Sequence, residues 1–235
     1  ARRHKLILIE DAAHSLGASY KGKPVGGIAD MTMFSFHPVK SITTGEGGAV
    51  TTNNKIWHEK MLMFRSHGIT KDQQQFVHKS PGEWYHEMQM LGLNYRMTEI
   101  QAALGLSQLK KLPRFLKARR VIVARYQKEF GKIPELIVPK EPEKYISSWH
   151  LFPVRVKDSA TRAEIFAKLR RAGIGVQVHF IPVYWHPYYQ ELGYKKGLCP
   201  HAEHFYETEI SLPVFPGLSR AQQDYVITRV KKCIA

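Results

Sequence analysis

The first third of the chain alternates between short apolar runs and polar breaks. Residues 6–9 are four consecutive apolar side chains that end at Glu10-Asp11. Such a run is typical of a short strand that is buried on both faces of a parallel sheet. Residues 31–36 and 48–52 are candidates for two further strands, with a glycine-rich turn at 45–48 before the second. Because ligand groups gather at the carboxyl ends of parallel strands, Asp11 occupies a position where chemistry is expected.

Apolar residues recur at helical spacing in the middle of the chain. Their pattern predicts a helix over residues 97–112, which Pro113 should interrupt. A second, basic helix is predicted from residue 115 to about residue 130, where Gly131 and Pro134 end it.

After Pro134 the pattern of apolar and polar residues changes. Residues 136–138, 149–156 and 176–180 resemble strands, and the segments 161–164 and 219–222 are capping boxes that open two helices. We therefore expect an α/β protein with a larger first domain at residues 1–125 and a smaller α+β domain at residues 126–235.

Composition and charge exclude several classes of protein. The hydrophobic content of 43% is too high for a disordered chain, and two cysteines cannot staple 235 residues. No secretory signal or transmembrane segment is recognisable, because the N-terminal apolar run is too short. Few cysteines and no disulfide framework favour the cytoplasm. The net charge of +15 favours anionic partners, namely nucleic acid, an acidic membrane or a phosphorylated small molecule.

The candidate chemistry is concentrated between residues 10 and 53. Asp11 ends one strand, Ser35 ends the next, and Lys40 follows in a segment rich in serine, threonine and glycine. Pyridoxal phosphate needs a lysine for its covalent attachment, a carboxylate for its ring nitrogen, and small polar groups for its phosphate. The spacing alone leaves other readings open, because a strand-end aspartate is often only a helix N-cap.

The full string is more specific. Ser-Phe-His-Pro-Val-Lys at 35–40, followed by Thr-Thr-Gly-Glu-Gly-Gly at 43–48, resembles the sugar-nucleotide aminotransferases, a family of fold-type I pyridoxal phosphate enzymes. The form is closest to members that aminate C4 of a UDP-linked 4-keto sugar in the pseudaminic acid pathway. The similarity extends over essentially the whole chain and includes the segments 64–68, 92–103, 148–152, 178–182 and 211–213.

The resemblance implies a role for each matching residue. Lys40 would be the catalytic residue, which holds the cofactor covalently and moves the proton. Asp11 would pair with the ring nitrogen, while the other cofactor and substrate contacts would come from His14, Ser35, Asn94, His179 and Tyr184. In this assignment His14 contacts the ring, Ser35 binds the phosphate, and Asn94 reaches the cofactor of a neighbouring subunit. His179 and Tyr184 would line the sugar-nucleotide pocket.

The implied fold is a partial large domain of the fold-type I kind plus a smaller C-terminal domain. The implied reaction moves an amino group, with glutamate as the expected donor, to the 4-keto carbon of a nucleotide-linked deoxysugar for polysaccharide or glycan biosynthesis. A homodimer is expected. Relatives carry additional sequence before the Asp11 strand, so we expect that the chain needs an upstream segment, in cis or in trans, for turnover.

Two alternatives to an aminotransferase remain open at the sequence level. The chain is either an aminotransferase or a catalytically silent homologue with a structural or regulatory role. A basic nucleic-acid-binding protein is the third reading, but neither a helix-turn-helix nor a clustered basic stripe is recognisable. A membrane partner is not expected. No metal site is expected either, because His201 and His204 lack partners at ligand spacing.

Overall fold

The computed structural model describes residues 1–234 and divides into two units. The first unit comprises residues 1–112, and the second comprises the described residues from 113 to 234. The boundary lies within one long helix, Glu99–Phe130, which also contains the sequence-based boundary at 125/126. No helix in residues 1–234 combines the length and the apolar composition of a membrane span.

The first unit contains seven short strands and one complete helix. Its elements are β1 (Ile9–Asp11), β2 (Ser19–Tyr20), β3 (Lys23–Pro24), β4 (Met31–Ser35), β5 (Gly48–Thr51), α1 (Lys55–Phe64), β6 (Ile69–Thr70), β7 (Glu87–Met88) and the first part of α2 (Glu99–Phe130). Two short 3-10 helices lie at Arg2–His4 and Gln73–Gln75. A three-stranded sheet has the order β1-β4-β5, in which β1 runs parallel and β5 antiparallel to β4. The predicted strands at 31–36 and 48–52 are confirmed to within one residue.

The apolar run at 6–9 differs from its prediction. Only its last residue belongs to β1, and the four side chains are between 48% and 64% exposed. The other described residues therefore leave the faces of this run largely uncovered. The expectation of a strand buried on both faces is therefore wrong for this structure.

The second unit contains a three-stranded antiparallel sheet and four further helices. Its elements are β8 (Leu136–Ile137), β9 (Tyr145–Ile146), β10 (Phe152–Val156), α3 (Ser159–Arg171), α4 (Pro187–Glu191), α5 (Pro200–Thr208), β11 (Glu209–Leu212) and α6 (Arg220–Ile234), with a 3-10 helix at Val183–Trp185. The sheet order is β11-β10-β8.

The core of the second unit follows from the two periodicities of its sequence. Alternate residues of β10 are buried, with Phe152, Val154 and Val156 at most 3% exposed. The later part of α2 presents Tyr126 and Phe130, one turn apart and fully buried, whose rings stack at 5.3 Å. Side chains of α3 and α6 complete the same cluster.

Three local predictions differ from the structure. Pro113 lies inside α2 without ending it; it is exposed, so the helix carbonyl that loses its donor can face water. Helix α3 begins earlier than the predicted box at 161–164, because Asp158 accepts a hydrogen bond from the amide of Ala160. Residues 176–180 do not form a strand and contribute only a bridge between Gln177 and Ser211.

The second capping box is confirmed. The Ser219 hydroxyl accepts from the Gln222 amide at 3.2 Å, and the Gln222 side chain accepts from the Ser219 amide at 2.9 Å. These reciprocal bonds satisfy two helix-end donors and fix the start of α6.

One buried cation ties the second unit together. Arg119, on α2, is 4% exposed, and its Nη1 donates to the carbonyl oxygens of Trp149, His150 and Val214 at 3.2, 3.2 and 2.7 Å. Burial lowers the pKa of the guanidinium. The three carbonyls belong to the segments just before β10 and just after β11. Because Phe152 pairs with Leu212, these segments lie at the same end of the sheet, and one side chain joins the helix to that end.

Replacement of Arg119 by methionine is expected to destabilise the second unit by about 3 kcal/mol, because three buried carbonyls lose a charged donor while the apolar stem remains. The free energy of unfolding from urea titration measures this effect. The neighbouring Arg120→Met is the matched control, since Arg120 is exposed and should change stability by less than about 0.5 kcal/mol. Equal stability of the two variants would contradict the role of Arg119.

Candidate functional site

The carboxyl ends of β1 and β4 define the candidate site in the first unit. In their parallel register, Asp11 pairs with Met33, and Ser35 lies two residues further along β4. Residues at positions i and i+2 of a strand point to one face, so Asp11, Met33 and Ser35 share a face of the sheet. The opposite face carries Thr32 and Phe34, which are 0% and 5% exposed. The carboxylate and the hydroxyl therefore occupy the accessible face.

Local hydrogen bonds orient both polar side chains. The Asp11 carboxylate accepts from the amide of Ala13 at 3.0 Å, which directs the chain away from the sheet. The Ser35 hydroxyl accepts from the amide of His37 at 3.3 Å and begins the turn that carries Lys40. The Lys40 amide closes this turn by donating to the His37 carbonyl at 2.9 Å.

The loop between β4 and β5 is held by its own polar groups. The Phe36 carbonyl accepts from the Thr44 amide at 3.0 Å and from the Thr43 hydroxyl at 3.1 Å. Ile42 and Thr44 are each 3% exposed, so the loop folds back on a small core. Lys40 thus projects from an ordered loop and not from a mobile one.

The two glycines after Glu46 are required by close approach. Gly47 has φ of 152°, and a Cβ atom there would collide with the Thr44 hydroxyl. A Cβ atom on Gly48 would lie 2.7 Å from the carbonyl oxygen of Phe34. Only glycine lets β5 pair with β4 directly after the loop.

Lys40 and Asp11 interact electrostatically. Lys40 is partly buried, and desolvation lowers the pKa of its ammonium group. The negative charge of Asp11 opposes this shift but does not cancel it. The lysine therefore reaches its neutral, nucleophilic form at a lower pH than an exposed lysine, while a carboxylate remains beside it.

His14 and Asn94 are the other predicted residues of the first unit, and His37 belongs to the string at 35–40. His14 is exposed and follows the Asp11 turn, whereas His37 lies 3.9 Å from Glu46. Asn94 is exposed and forms a β-bridge with Ser66, where the amide of Tyr95 donates to the Arg65 carbonyl. The structure thus brings Asp11, Ser35 and Lys40 together and places Asn94 at a separate bridge.

The two predicted substrate residues lie in the second unit. The Tyr184 hydroxyl donates to Glu203 at 2.6 Å and accepts from the Cys199 amide at 3.1 Å. Burial and the Glu203 hydrogen bond raise the pKa of Tyr184 to about 12. The His179 amide donates to Glu209, and its Nδ1 lies 2.8 Å from the Ser211 hydroxyl.

Sequence reasoning missed Glu209. This side chain is 0% exposed, and burial raises its pKa against the opposing hydrogen bonds of Ser211 and the His179 amide. No local sequence signal marks it, because its burial and its bond to the His179 amide arise only from the tertiary fold.

The sequence matches the DegT/DnrJ/EryC1/StrS aminotransferase family over residues 1–231. The chain belongs to this family. The predicted family and the fold-type I class are thereby confirmed.

Three relatives illustrate the similarity. The UDP-4-amino-4,6-dideoxy-N-acetyl-beta-L-altrosamine transaminase of Campylobacter jejuni serotype O:23/36 is 43% identical over 228 residues, which are 96% of this chain and 58% of that protein. Helicobacter pylori PseC, an aminotransferase involved in the biosynthesis of pseudoaminic acid, superimposes with a TM-score of 0.90 at 37% identity and covers 99% of this chain and 61% of its own. The putative sugar aminotransferase Spr1654 from Streptococcus pneumoniae, in its PMP form, superimposes with a TM-score of 0.89 at 35% identity. The match covers 97% of this chain and 59% of the Spr1654 chain. The chain therefore spans about three-fifths of the length of these family members.

Substitution of Asp11 by asparagine is expected to lower the pKa of Lys40 further. The variant removes the one charge that opposes desolvation, so the ammonium group loses its proton at a lower pH. Competitive labelling with acetic anhydride across a pH series, with mass spectrometry of the Lys40 peptide, measures the shift.

Glu46→Gln is the matched control for this measurement. Glu46 is an exposed carboxylate of the same loop and does not contribute to the Lys40 shift. An Asp11→Asn variant whose Lys40 titrates as in the unmodified protein, or at higher pH, would contradict the electrostatic pairing.

Proposed function

We propose that the protein is a pyridoxal phosphate-dependent aminotransferase. In this proposal it moves an amino group from an amino acid, glutamate in the first instance, to the 4-keto carbon of a nucleotide-linked deoxysugar. The observation that carries the proposal is the pair formed by Lys40 and Asp11, an amine with a lowered pKa beside a carboxylate at a strand end. Membership of an aminotransferase family supports the same reaction class.

The residues present fit the cofactor. Pyridoxal phosphate supplies an electron sink and a carbonyl group that takes up amines. The Asp11 carboxylate suits a protonated ring nitrogen, and the Ser35 hydroxyl suits a phosphate oxygen. His14 is the residue of the Asp11 turn that we assign to the ring.

Lys40 performs the proton chemistry in this proposal. A lysine with a lowered pKa exchanges a proton near neutral pH more readily than an exposed one. Its position on a loop held by hydrogen bonds keeps the amine in one place, which favours proton transfer between a carbon atom of the cofactor and one of the substrate.

The substrate class follows from charge and from the relatives. A net charge of +15 favours an anionic substrate, and the diphosphate of a sugar nucleotide supplies that charge. Relatives named as a UDP-sugar transaminase and as an enzyme of pseudoaminic acid biosynthesis support a role in glycan biosynthesis. His179 and Tyr184 are assigned to the sugar-nucleotide pocket.

We also propose that the first unit associates with further polypeptide. Its apolar side chains at Leu6–Ile9, Leu91 and Ile100 are exposed, the last by 84%. A homodimer in which Asn94 reaches the partner's cofactor, and an upstream segment in cis or in trans, are the two associations proposed. The free cysteines of the described chain are compatible with a reducing cytoplasm.

Replacement of Lys40 by alanine is expected to reduce transamination by about 100-fold or more, because the variant loses the group that transfers the proton. Formation of 2-oxoglutarate from glutamate, dependent on a UDP-linked 4-keto sugar and pyridoxal phosphate, measures the rate. Lys55→Ala is the matched control, since Lys55 is exposed and forms an ion pair with Glu59 on α1.

Equal rates in the Lys40→Ala and Lys55→Ala proteins, measured in the presence of the upstream segment, would contradict the proposed function. The assay is run with the 235-residue chain alone and after addition of a separately expressed upstream segment of a relative. Full activity of the chain by itself would refute the proposed need for that segment.

A further inference from the structure

A buried carboxylate, a serine and a histidine form a continuous chain of hydrogen bonds in the second unit. The Ser211 hydroxyl contacts Oε1 of Glu209, and Nδ1 of His179 lies 2.8 Å from the same hydroxyl. The second carboxylate oxygen, Oε2, accepts from the backbone amide of His179 at 2.8 Å. Glu209 thus holds His179 in two ways. It accepts a hydrogen bond from the His179 backbone amide, and it contacts Ser211, whose hydroxyl contacts the His179 ring.

Strand β11 and the backbone hydrogen bonds between Gln177 and Ser211 hold these contacts in place. Glu209 and Ser211 belong to β11 and are 0% and 4% exposed. Ser211 and Gln177 exchange two backbone hydrogen bonds, at 2.8 and 3.3 Å, which hold the segment before His179 against the strand. The histidine itself is partly exposed. A buried pair therefore positions a side chain that solvent and ligands can reach.

One donor in this chain is fixed, and the charge on Glu209 sets the direction of the other hydrogen bonds. The His179 amide can only donate, so it occupies Oε2 of Glu209. An ionised carboxylate can only accept, so Oε1 takes the Ser211 proton. The serine oxygen then offers only its lone pairs to the imidazole, and Nδ1 must carry the ring proton.

The charge on Glu209 decides this direction. Burial raises its pKa, and the hydrogen bonds from Ser211 and the His179 amide, together with the charge of Arg162, oppose this shift without cancelling it. A protonated Glu209 would donate to Ser211 and reverse the chain. The tautomer of His179 therefore reports the state of the whole cluster.

We propose that Glu209 is ionised and that Glu209 and Ser211 are positioning residues. They fix His179 as its Nδ1–H tautomer, so that Nε2 accepts a hydrogen bond from a hydroxyl or ammonium group of the substrate. The ligand part of this assignment rests on the proposed function, whereas the tautomer does not. A neutral histidine held in this way selects a donor group and disfavours a phosphate or carbonyl oxygen at Nε2.

The tautomer is measured by nitrogen-15 NMR of histidine-labelled protein at neutral pH. The protein has twelve histidines, and the signals of His179 are those that disappear in His179→Gln. The expected result is the Nδ1–H pattern for the unmodified chain. The Nε2–H pattern would overturn the proposal.

Glu209→Gln is expected to reverse the pattern. The amide oxygen of the glutamine must face the His179 amide, which leaves its NH2 group toward Ser211. The serine then accepts from the glutamine and donates to Nδ1, so the proton moves to Nε2. Glu207→Gln is the matched control, because Glu207 is exposed and lies two residues before Glu209. In this variant the His179 tautomer should equal that of the unmodified protein. An unchanged tautomer in Glu209→Gln would also overturn the proposal.

The ligand part is tested by kinetics of Ser211→Ala. Loss of the positioning hydroxyl should raise KM for a UDP-linked 4-keto sugar about tenfold, the equivalent of about 1.4 kcal/mol, and leave kcat within about twofold. An unchanged KM would overturn the assignment of Nε2 to the substrate while the tautomer result stands. These kinetics are measured with an upstream segment of a relative added. Absence of turnover in the unmodified protein under that condition would contradict the proposed function and not the positioning of His179.

Discussion

The parallel pairing of β1 with β4 is the constraint on which the candidate site depends. That register sets Asp11 opposite Met33 and directs Asp11 and Ser35 to the same accessible face. The antiparallel return of β5 then closes the loop that carries Lys40, and Gly47 and Gly48 permit the closure. A slip of one residue between β1 and β4 would turn the carboxylate to the opposite face, where Thr32 and Phe34 are buried.

In both units burial shifts the pKa of an ionisable side chain, and the two shifts have opposite directions. In the first unit, desolvation lowers the pKa of Lys40, and Asp11 limits the shift. In the second, burial raises the pKa of Glu209, and hydrogen-bond donors limit it. In each case a nearby group of suitable polarity opposes the effect of burial, which keeps the buried or partly buried group available for chemistry.

The sequence was sufficient where the signal was local or carried by a motif. The strands at 31–36 and 48–52 and the capping box at 219–222 depend on short patterns, and the family match confirms the resemblance carried by residues 35–48. The roles of Asp11 and Lys40 stay predictions. Pro113 was misjudged because a proline at an exposed position of a long helix can be accommodated. Arg119 and Glu209 were not foreseen, since their partners lie on segments that only the tertiary fold brings together.

The central claim is that Lys40 is the residue that receives the cofactor at the ends of β1 and β4. Its most direct test is incubation of the protein with pyridoxal phosphate, reduction with borohydride to make the link permanent, and mass spectrometry of the proteolytic peptides. The account predicts that the label is found on the peptide that contains Lys40 and is lost from that peptide in Lys40→Arg. A label on another lysine, with Lys40 unmodified, would contradict the account.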